Sequence, residues 1–267
     1  MSHVESYRNN DAYAAFLEDW DPSFFAKYVD HLAENQAGGR ILDVGCGVGQ
    51  VVKALRDRKL EAQGVDVSEP NIHKANDLVG HCELYDGSRL PFSDGQFDAA
   101  GAFNVLEHVD EPEQFLEELV RVVRPGGRLV VSSPNFLRVL GFRDYHPRMR
   151  GLMNKYRNAR RQWQIRSTIK NAPQRVRFER MTPIVKDPFT PEDPFTPDDD
   201  AIVVTNPLEM RFFLEQAGCE MISVSCTDRY VSRIVEWGLN LPILKSLWFN
   251  SFLVATRSPL PKGSSPL

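Results

Sequence analysis

The chain has 267 residues, 42% of them hydrophobic and 25% charged, with a formal net charge of −4. Those figures suit a globular protein built as one large α/β domain, or one domain plus an insertion. No segment reaches the ~18 uninterrupted apolar residues of a membrane span, and the polar first stretch is unlike a signal peptide, so a cytoplasmic location is expected.

Asp21-Pro22 opens a helix with an N-cap acid and a proline at its first position. Phe24, Phe25, Tyr28, Val29 and Leu32 share one face of it, and Gly38-Gly39 ends the element. Tyr7, Tyr13 and Trp20 fit either a helical lid over residues 1–39 or a packed helix face. A strand–helix alternation follows. Short apolar runs predict strands at 41–44, 62–67, 81–85, 97–103 and 128–132, with helices at 51–55, 71–79 and from Pro112 onward. Arg124-Pro125-Gly126-Gly127 breaks that last helix. The alternation predicts a mostly parallel sheet covered on both faces. It lapses between residues 134 and 206, then resumes with a helix at 207–216, a strand at 220–226 and a last apolar run at 249–256.

The chain therefore divides into a lid (1–39), a core (40–133), an insertion (134–206), the rest of the core (207–257) and a Pro/Ser/Gly-rich tail (258–267) expected to be disordered. Residues 138–180 hold thirteen Lys/Arg against two acids, a net +11, so the remainder sums to −15. Within them, residues 149–170 place Met149, Leu152, Met153, Tyr156, Trp163 and Ile169 along one helical side among arginines. That predicts a basic amphipathic helix, suited to an anionic membrane surface or substrate, or a capping helix with a solvated outer face. DPFTPE at 187–192 and DPFTPD at 193–198 follow, with proline at every third position forbidding helix and sheet interior alike. This acidic loop offsets the basic helix or holds a cation.

The turn GCGVG at 45–49 announces a nucleotide cofactor. Gly45 and Gly47 supply the tight turn and close backbone approach, and Asp66, twenty-one residues after Gly45, ends the second strand where a carboxylate can accept both ribose hydroxyls. Dinucleotide enzymes and methyltransferases share these features. They separate at the third glycine: the dinucleotide pattern G-x-G-x-x-G requires glycine where Gln50 stands, and here it is Gly49. Asp43 sharpens the choice, because a buried carboxylate repels a pyrophosphate but attracts an α-ammonium group. Its other reading is as a cap for the N–H groups of the glycine loop. Cys46 reads as a small residue under the cofactor. The four cysteines, Cys46, Cys82, Cys219 and Cys226, show neither CxxC pairing nor histidine partners, so no disulfide framework or metal site is expected.

Four blocks in order carry a family resemblance: ILDVGCGVG at 41–49, GVDVS at 64–68, DGSRLPFSDGQFD at 86–98 with FNVLEHV at 103–109, and RVVRPGGRLVVSSPN at 121–135. The chain resembles the class I S-adenosylmethionine-dependent methyltransferases, in the broad type 11 group that includes quinone-biosynthesis C-methyltransferases. The likeness is close over 40–133 and looser over 206–257. It implies a Rossmann-like seven-stranded sheet whose last strand, at 249–256, is antiparallel, with helices on both faces. It also implies that Asp43, Gly45 and Gly47 line the methionine and ribose side of S-adenosylmethionine, and that Asp66 binds the ribose. Val67 would pack on the adenine, Asp86 would accept from its amino group with Gly87 alongside, and Asn104 would lie by the sulfonium. Asp94 and Asp98 are expected to be structural.

His108, just beyond the fourth strand, is the candidate catalytic base, its alternative being a helix-start histidine bonded to backbone. Tyr145 and His146 are weaker candidates. Amino methylation of nucleic acid is disfavoured, since the Asn/Asp-Pro-Pro-aromatic turn that holds a flipped base is replaced by NVLE at 104–107. The expected function is in-line methyl transfer to a small-molecule acceptor, anionic or linked to a lipid or glycan, with peripheral contact to the inner membrane surface through the basic insertion. An RNA-associated methyltransferase, a nicotinamide oxidoreductase and a non-catalytic S-adenosylmethionine binder are the alternatives.

Overall fold

The computed structural model describes residues 3–141, 144–184, 198–241 and 244–259. The alternation builds strands β1 (Arg40–Val44), β2 (Glu61–Asp66), β3 (Cys82–Leu84), β4 (Phe97–Phe103), β5 (Val123–Pro134), β8 (Cys219–Ser225) and β9 (Asn250–Arg257) into one sheet of order β3-β2-β1-β4-β5-β9-β8. β1 to β5 pair in parallel, and β9 runs antiparallel to both β5 and β8. The expected seven strands and the antiparallel last strand are both found.

Burial on two faces explains the near-continuous apolar strands. Leu42 and Val44 face the layer of α5 (Pro112–Val122) and α7 (Pro207–Gln216), whereas Ile41 faces α2 (Ala26–Ala33), α3 (Gln50–Asp57) and α4 (Glu69–Leu78). Local caps start several of these helices. Ser68 accepts from the Asn71 N–H at 3.4 Å, and Asn206 accepts from the Leu208 and Glu209 N–H groups, each cap followed by a proline in the first turn. Asp98 accepts from the Arg40 N–H at 2.8 Å and pairs with Arg124, and Asp94 pairs with Arg121, so both serve structure. β5 begins five residues earlier than a simple strand at 128–132 would: α5 passes straight into it at Val123, and a register shift between Phe97 and Ala99 absorbs the Pro-Gly segment.

The strand order reverses between β1, which leads to β2 and β3, and β4, which leads to β5. Open α/β sheets bind ligands at the carboxyl ends of the strands at such a switch point. Two segments cover that edge. Before the sheet come α1 (Asp11–Glu18) and the turn Pro22–Phe25. After β5 comes the insertion, with α6 (Gly151–Asn171) and a ribbon of β6 (Glu179–Arg180) and β7 (Val203–Val204). A further helix, α8 (Arg233–Leu239), follows β8.

α6 is the predicted basic helix, but it is turned the other way. Leu152 is 87% exposed and Trp163 68%, with Met153 and Tyr156 also outward, while Asn158, Gln162 and Ile165 are buried. Only Met149 of the expected apolar stripe lies fully inside, and Ile169 packs at the margin. The reason is hydrogen bonding. Asn158 donates to the Phe136 and Arg138 carbonyls, and Gln162 to those of Leu137 and Ser246, satisfying irregular backbone that an apolar face would leave unpaired. Part of the basic charge is also committed: Arg161 bridges Glu179 and Glu209, and Arg166 donates to Ser246. The DPFTPE/DPFTPD loop up to residue 197 and most of the tail lie outside the described residues.

Candidate functional site

A pocket opens at the switch point, and nine of the ten sequence-designated residues line it: Asp43, Gly45, Cys46, Gly47, Asp66, Val67, Gly87, Asn104 and His108. The tenth, Asp86, is exposed and outside the lining. Its Oδ1 accepts from both the N–H and the hydroxyl of Ser88, at 2.8 and 2.7 Å, so it caps the turn that places Gly87 in the wall.

The glycine loop is held by β2. The N–H groups of Gly45 and Cys46 donate to the Val65 carbonyl at 2.8 and 3.0 Å, and that of Gly47 donates to Asp66 Oδ2 at 2.9 Å. Gly45 has φ +75°, and a Cβ there would stand 2.3 Å from Val105 Cγ2. Gly49 has φ +83°, and a Cβ would meet Ala75 Cβ at 3.0 Å, so the third glycine serves helix packing against α4. Gln50 has its own task. Its side-chain amide donates to the carbonyls of Leu17, Glu18 and Trp20 and pins the end of α1 over the pocket. Of the first 39 residues, Tyr7, Tyr13, Trp20 and Phe25 stand in the lining.

Asp66 accepts from Gly47 N, Ser68 N (2.9 Å) and Asn71 Nδ2 (3.2 Å). These bonds fix the carboxylate at the pocket wall, at the end of β2 where the sequence placed it. Asn71 lines the same pocket, and its buried Oδ1 has no hydrogen-bond partner, which makes it a second acceptor beside Asp66. Sequence reasoning missed Asn71, although a polar residue in the first turn of α4, one turn past Asp66, was a signal to find it. Asp43 accepts from the Tyr28 hydroxyl at 2.9 Å. The loop N–H groups bond Val65, Cys46 and Asp66 instead, so capping the glycine loop is not the work of Asp43. Burial pushes its carboxyl up to about 7 against the Tyr28 hydrogen bond. A buried carboxylate this close to ionising, beside an orphaned amide oxygen and a glycine cradle, fits the ammonium and ribose of S-adenosylmethionine.

The far wall is a buried polar cluster. Glu107 is fully buried, and its Oε2 accepts from the Ser133 hydroxyl at 2.7 Å. His108 Nδ1 lies 3.0 Å from the Tyr7 hydroxyl oxygen and 3.5 Å from Asp200 Oδ2, and Tyr7 donates to Asp200. The Ile202 N–H donates to the Glu107 carbonyl at 2.9 Å, which ties the returning strand of the insertion to this turn and brings Asp198 and Asp200 in. Burial alone would depress the His108 imidazole, but Asp200, Glu107 and Asp198 hold it above its usual value. Burial likewise pushes Glu107 up to about 7 and Asp198 up to about 6, against the attraction of His108. Of the weaker candidates, Tyr145 hydrogen-bonds Asp198, whereas His146 accepts from the Arg148 N–H and packs on Phe136.

Known proteins share this frame. The chain is 35% identical to the O-methyltransferase resE of Aspergillus sclerotiorum over 108 residues, covering 37% of this chain and 41% of that one. It is 39% identical to an uncharacterised methyltransferase of Mycobacterium sp. (strain JLS) over 132 residues, covering 48% and 52%. The chain spans about half or less of the length of these curated relatives. A solved S-adenosylmethionine-dependent methyltransferase from Mesorhizobium loti superposes with TM-score 0.56 at 14% identity, covering 88% of this chain and 98% of that one, a likeness of fold. The family described as "Methyltransferase domain" matches residues 42–131, the segment that carries the glycine loop, both pocket carboxylates and His108. Residues 42–131 thus carry a methyltransferase domain, set in a fold of the class I S-adenosylmethionine-dependent type.

Proposed function

We propose that the protein transfers the methyl group of S-adenosylmethionine to an oxygen of a small acceptor enclosed beneath the N-terminal lid. The observation that carries this reading is the pair of buried carboxylates, Asp43 and Asp66, flanking the glycine loop in one pocket. S-adenosylmethionine supplies an electrophilic methyl group on its sulfonium. Asp43 holds the α-ammonium, and Asp66 and Asn71 take one ribose hydroxyl each. Val67, Cys46 and Gly87 form the wall for the adenine side, and Asp86, outside the lining, holds the turn that places Gly87 there. Asn104, whose backbone is left-handed at φ 53°, turns the chain at the mouth beside the sulfonium. Trp20, Phe25 and Phe103 give the acceptor an apolar, water-excluding surface, and the cluster around His108 meets its oxygen. The name of the Aspergillus relative supports an oxygen acceptor.

The reading is tested by turnover. Incubated with S-adenosylmethionine and a panel of hydroxylated metabolites, the protein should form S-adenosylhomocysteine only when an acceptor is present. Tight cofactor binding with no turnover across the panel would favour the non-catalytic binder.

Asp43 adds a pH dependence. Its carboxyl is raised to about 7 by burial in the ligand-free protein, with the Asp66 charge adding to the effect and Tyr28 opposing it. Only the carboxylate attracts an ammonium, so cofactor affinity should rise as pH increases from 6 to 7, by up to about tenfold per unit. The same raised value makes the protonated form a stabiliser of the ligand-free fold, a contribution lost as pH rises through about 7. Calorimetry across this range checks the first effect. Asp43→Asn should bind weakly at every pH, and an unchanged slope in that variant would remove Asp43 from the ammonium site.

The outward face of α6 extends the reading. Leu152, Tyr156 and Trp163, flanked by the exposed Arg157 and Arg160, suit an anionic membrane surface from which a lipid-linked acceptor could be drawn. Among the described residues no helix is long and apolar enough to cross a membrane. Sedimentation with anionic vesicles, against neutral vesicles and RNA as controls, tests that contact.

A further inference from the structure

The polar cluster beside the pocket has more negative groups than its neighbours balance. Glu107, Asp198 and Asp200 are all at least nine-tenths buried. Among the described residues the one cationic side chain in ion-pair contact with any of them is His108, and no Lys or Arg reaches them. Uncompensated buried carboxylates are costly.

The hydrogen bonds hold one atom of each group from outside the cluster, and one oxygen of Glu107 is left without a partner. Glu107 Oε2 is held by the Ser133 hydroxyl, while Oε1 is buried with no hydrogen-bond partner. His108 Nδ1 is held by Tyr7 and Asp200, while Nε2 lies 3.9 Å from Glu107 Oε1. Asp198 is held by the Tyr145 hydroxyl. Ligand atoms of Glu107, His108 and Asp198 all lie within 4.8 Å of one another. Metal-binding residues show this pattern of outer partners: the histidine donates its second ring N–H to a carboxylate, and ligating carboxylates are themselves hydrogen-bonded.

We propose that Glu107 Oε1, His108 Nε2 and a carboxylate oxygen of Asp198 bind a divalent cation, with Asp200, Tyr7, Ser133 and Tyr145 as the outer partners that orient them. With metal–ligand bonds of about 2.1 Å, the three atoms must close in by roughly an ångström. Two carboxylates and one imidazole suit Mn²⁺, which accepts both ligand types, ahead of the thiolate-seeking metals. His108 then serves as a ligand and not as a free base. Because His108 also lines the cofactor pocket, an open coordination position would face the acceptor. That use of the ion rests on the methyl-transfer reading, but the site itself does not.

The test therefore measures binding without cofactor or acceptor. Full-length protein freed of metal by chelator dialysis is titrated with Mn²⁺ and followed by calorimetry and electron paramagnetic resonance. One equivalent should bind per chain. Glu107→Gln and Asp198→Asn should each weaken it at least tenfold, and Asp200→Asn less. Should Glu107→Gln not fold, Asp198→Asn carries the comparison, since it lies on the insertion. Failure of the wild-type protein to bind Mn²⁺, or equal binding by wild type and Asp198→Asn, would overturn the site. Either result leaves S-adenosylmethionine binding to be judged separately.

Discussion

Replacing Gly45 by alanine is expected to destabilise the protein and abolish measurable cofactor binding. Two costs combine. A side chain at φ +75° sits in the left-handed region, at about 1–2 kcal/mol, and the new Cβ would lie 2.3 Å from Val105 Cγ2. Val105 is β-branched and short, so it cannot swing clear, and overpacking of this kind costs about 1–3 kcal/mol. Any backbone shift that relieves the clash moves the loop whose N–H groups bond Val65 and Asp66. Thermal unfolding and calorimetry check both effects. Gly45→Ala/Val105→Ala removes the clash but not the strain, so it should recover part of the stability. A single variant as stable and as tight-binding as wild type would mean that the loop adapts freely.

The second large effect is at Asp66. Asp66→Asn should weaken S-adenosylmethionine binding at least tenfold, about 1.4 kcal/mol, because a charged acceptor of a ribose hydroxyl is lost. The variant also disturbs the loop, since Asp66 holds Gly47, Ser68 and Asn71, so a loss of affinity alone is ambiguous. A cycle with 2′-deoxy and 3′-deoxy analogues of S-adenosylhomocysteine separates the roles. Wild type should discriminate against both analogues, whereas Asp66→Asn should lose discrimination against one and keep it against the other, which Asn71 holds. If the variant still rejects both as wild type does, Asp66 does not touch the ribose.

Much of the cofactor half was legible because its signals are local. β4 is found at the residues where its apolar run predicted it, and Asp21, Ser68 and Pro112 mark helix starts that depend only on neighbours in the chain. What was not legible depends on distant partners. The amphipathic pattern of 149–170 pointed its apolar side inward, but Asn158 and Gln162 win the interior because the carbonyls of residues 136–138 and 246 need donors there. Tyr7 meets His108 from 101 residues away, and Asp198 and Asp200 lie 90 and 92 residues beyond it in the chain, so no spacing rule announces them. Gly49 and Gln50 were read by what a dinucleotide would need, and each has a packing or helix-anchoring role visible only in three dimensions.

The central claim is that this pocket is made for a sulfonium cofactor bearing an ammonium group and not for a dinucleotide. Calorimetric titration of the wild-type protein with S-adenosylmethionine and, separately, with NADH tests it most directly. The account predicts one equivalent of S-adenosylmethionine bound at pH 7.5 (roughly the ionised range of Asp43) and no heat from NADH. Saturable binding of NADH with none of S-adenosylmethionine would contradict it.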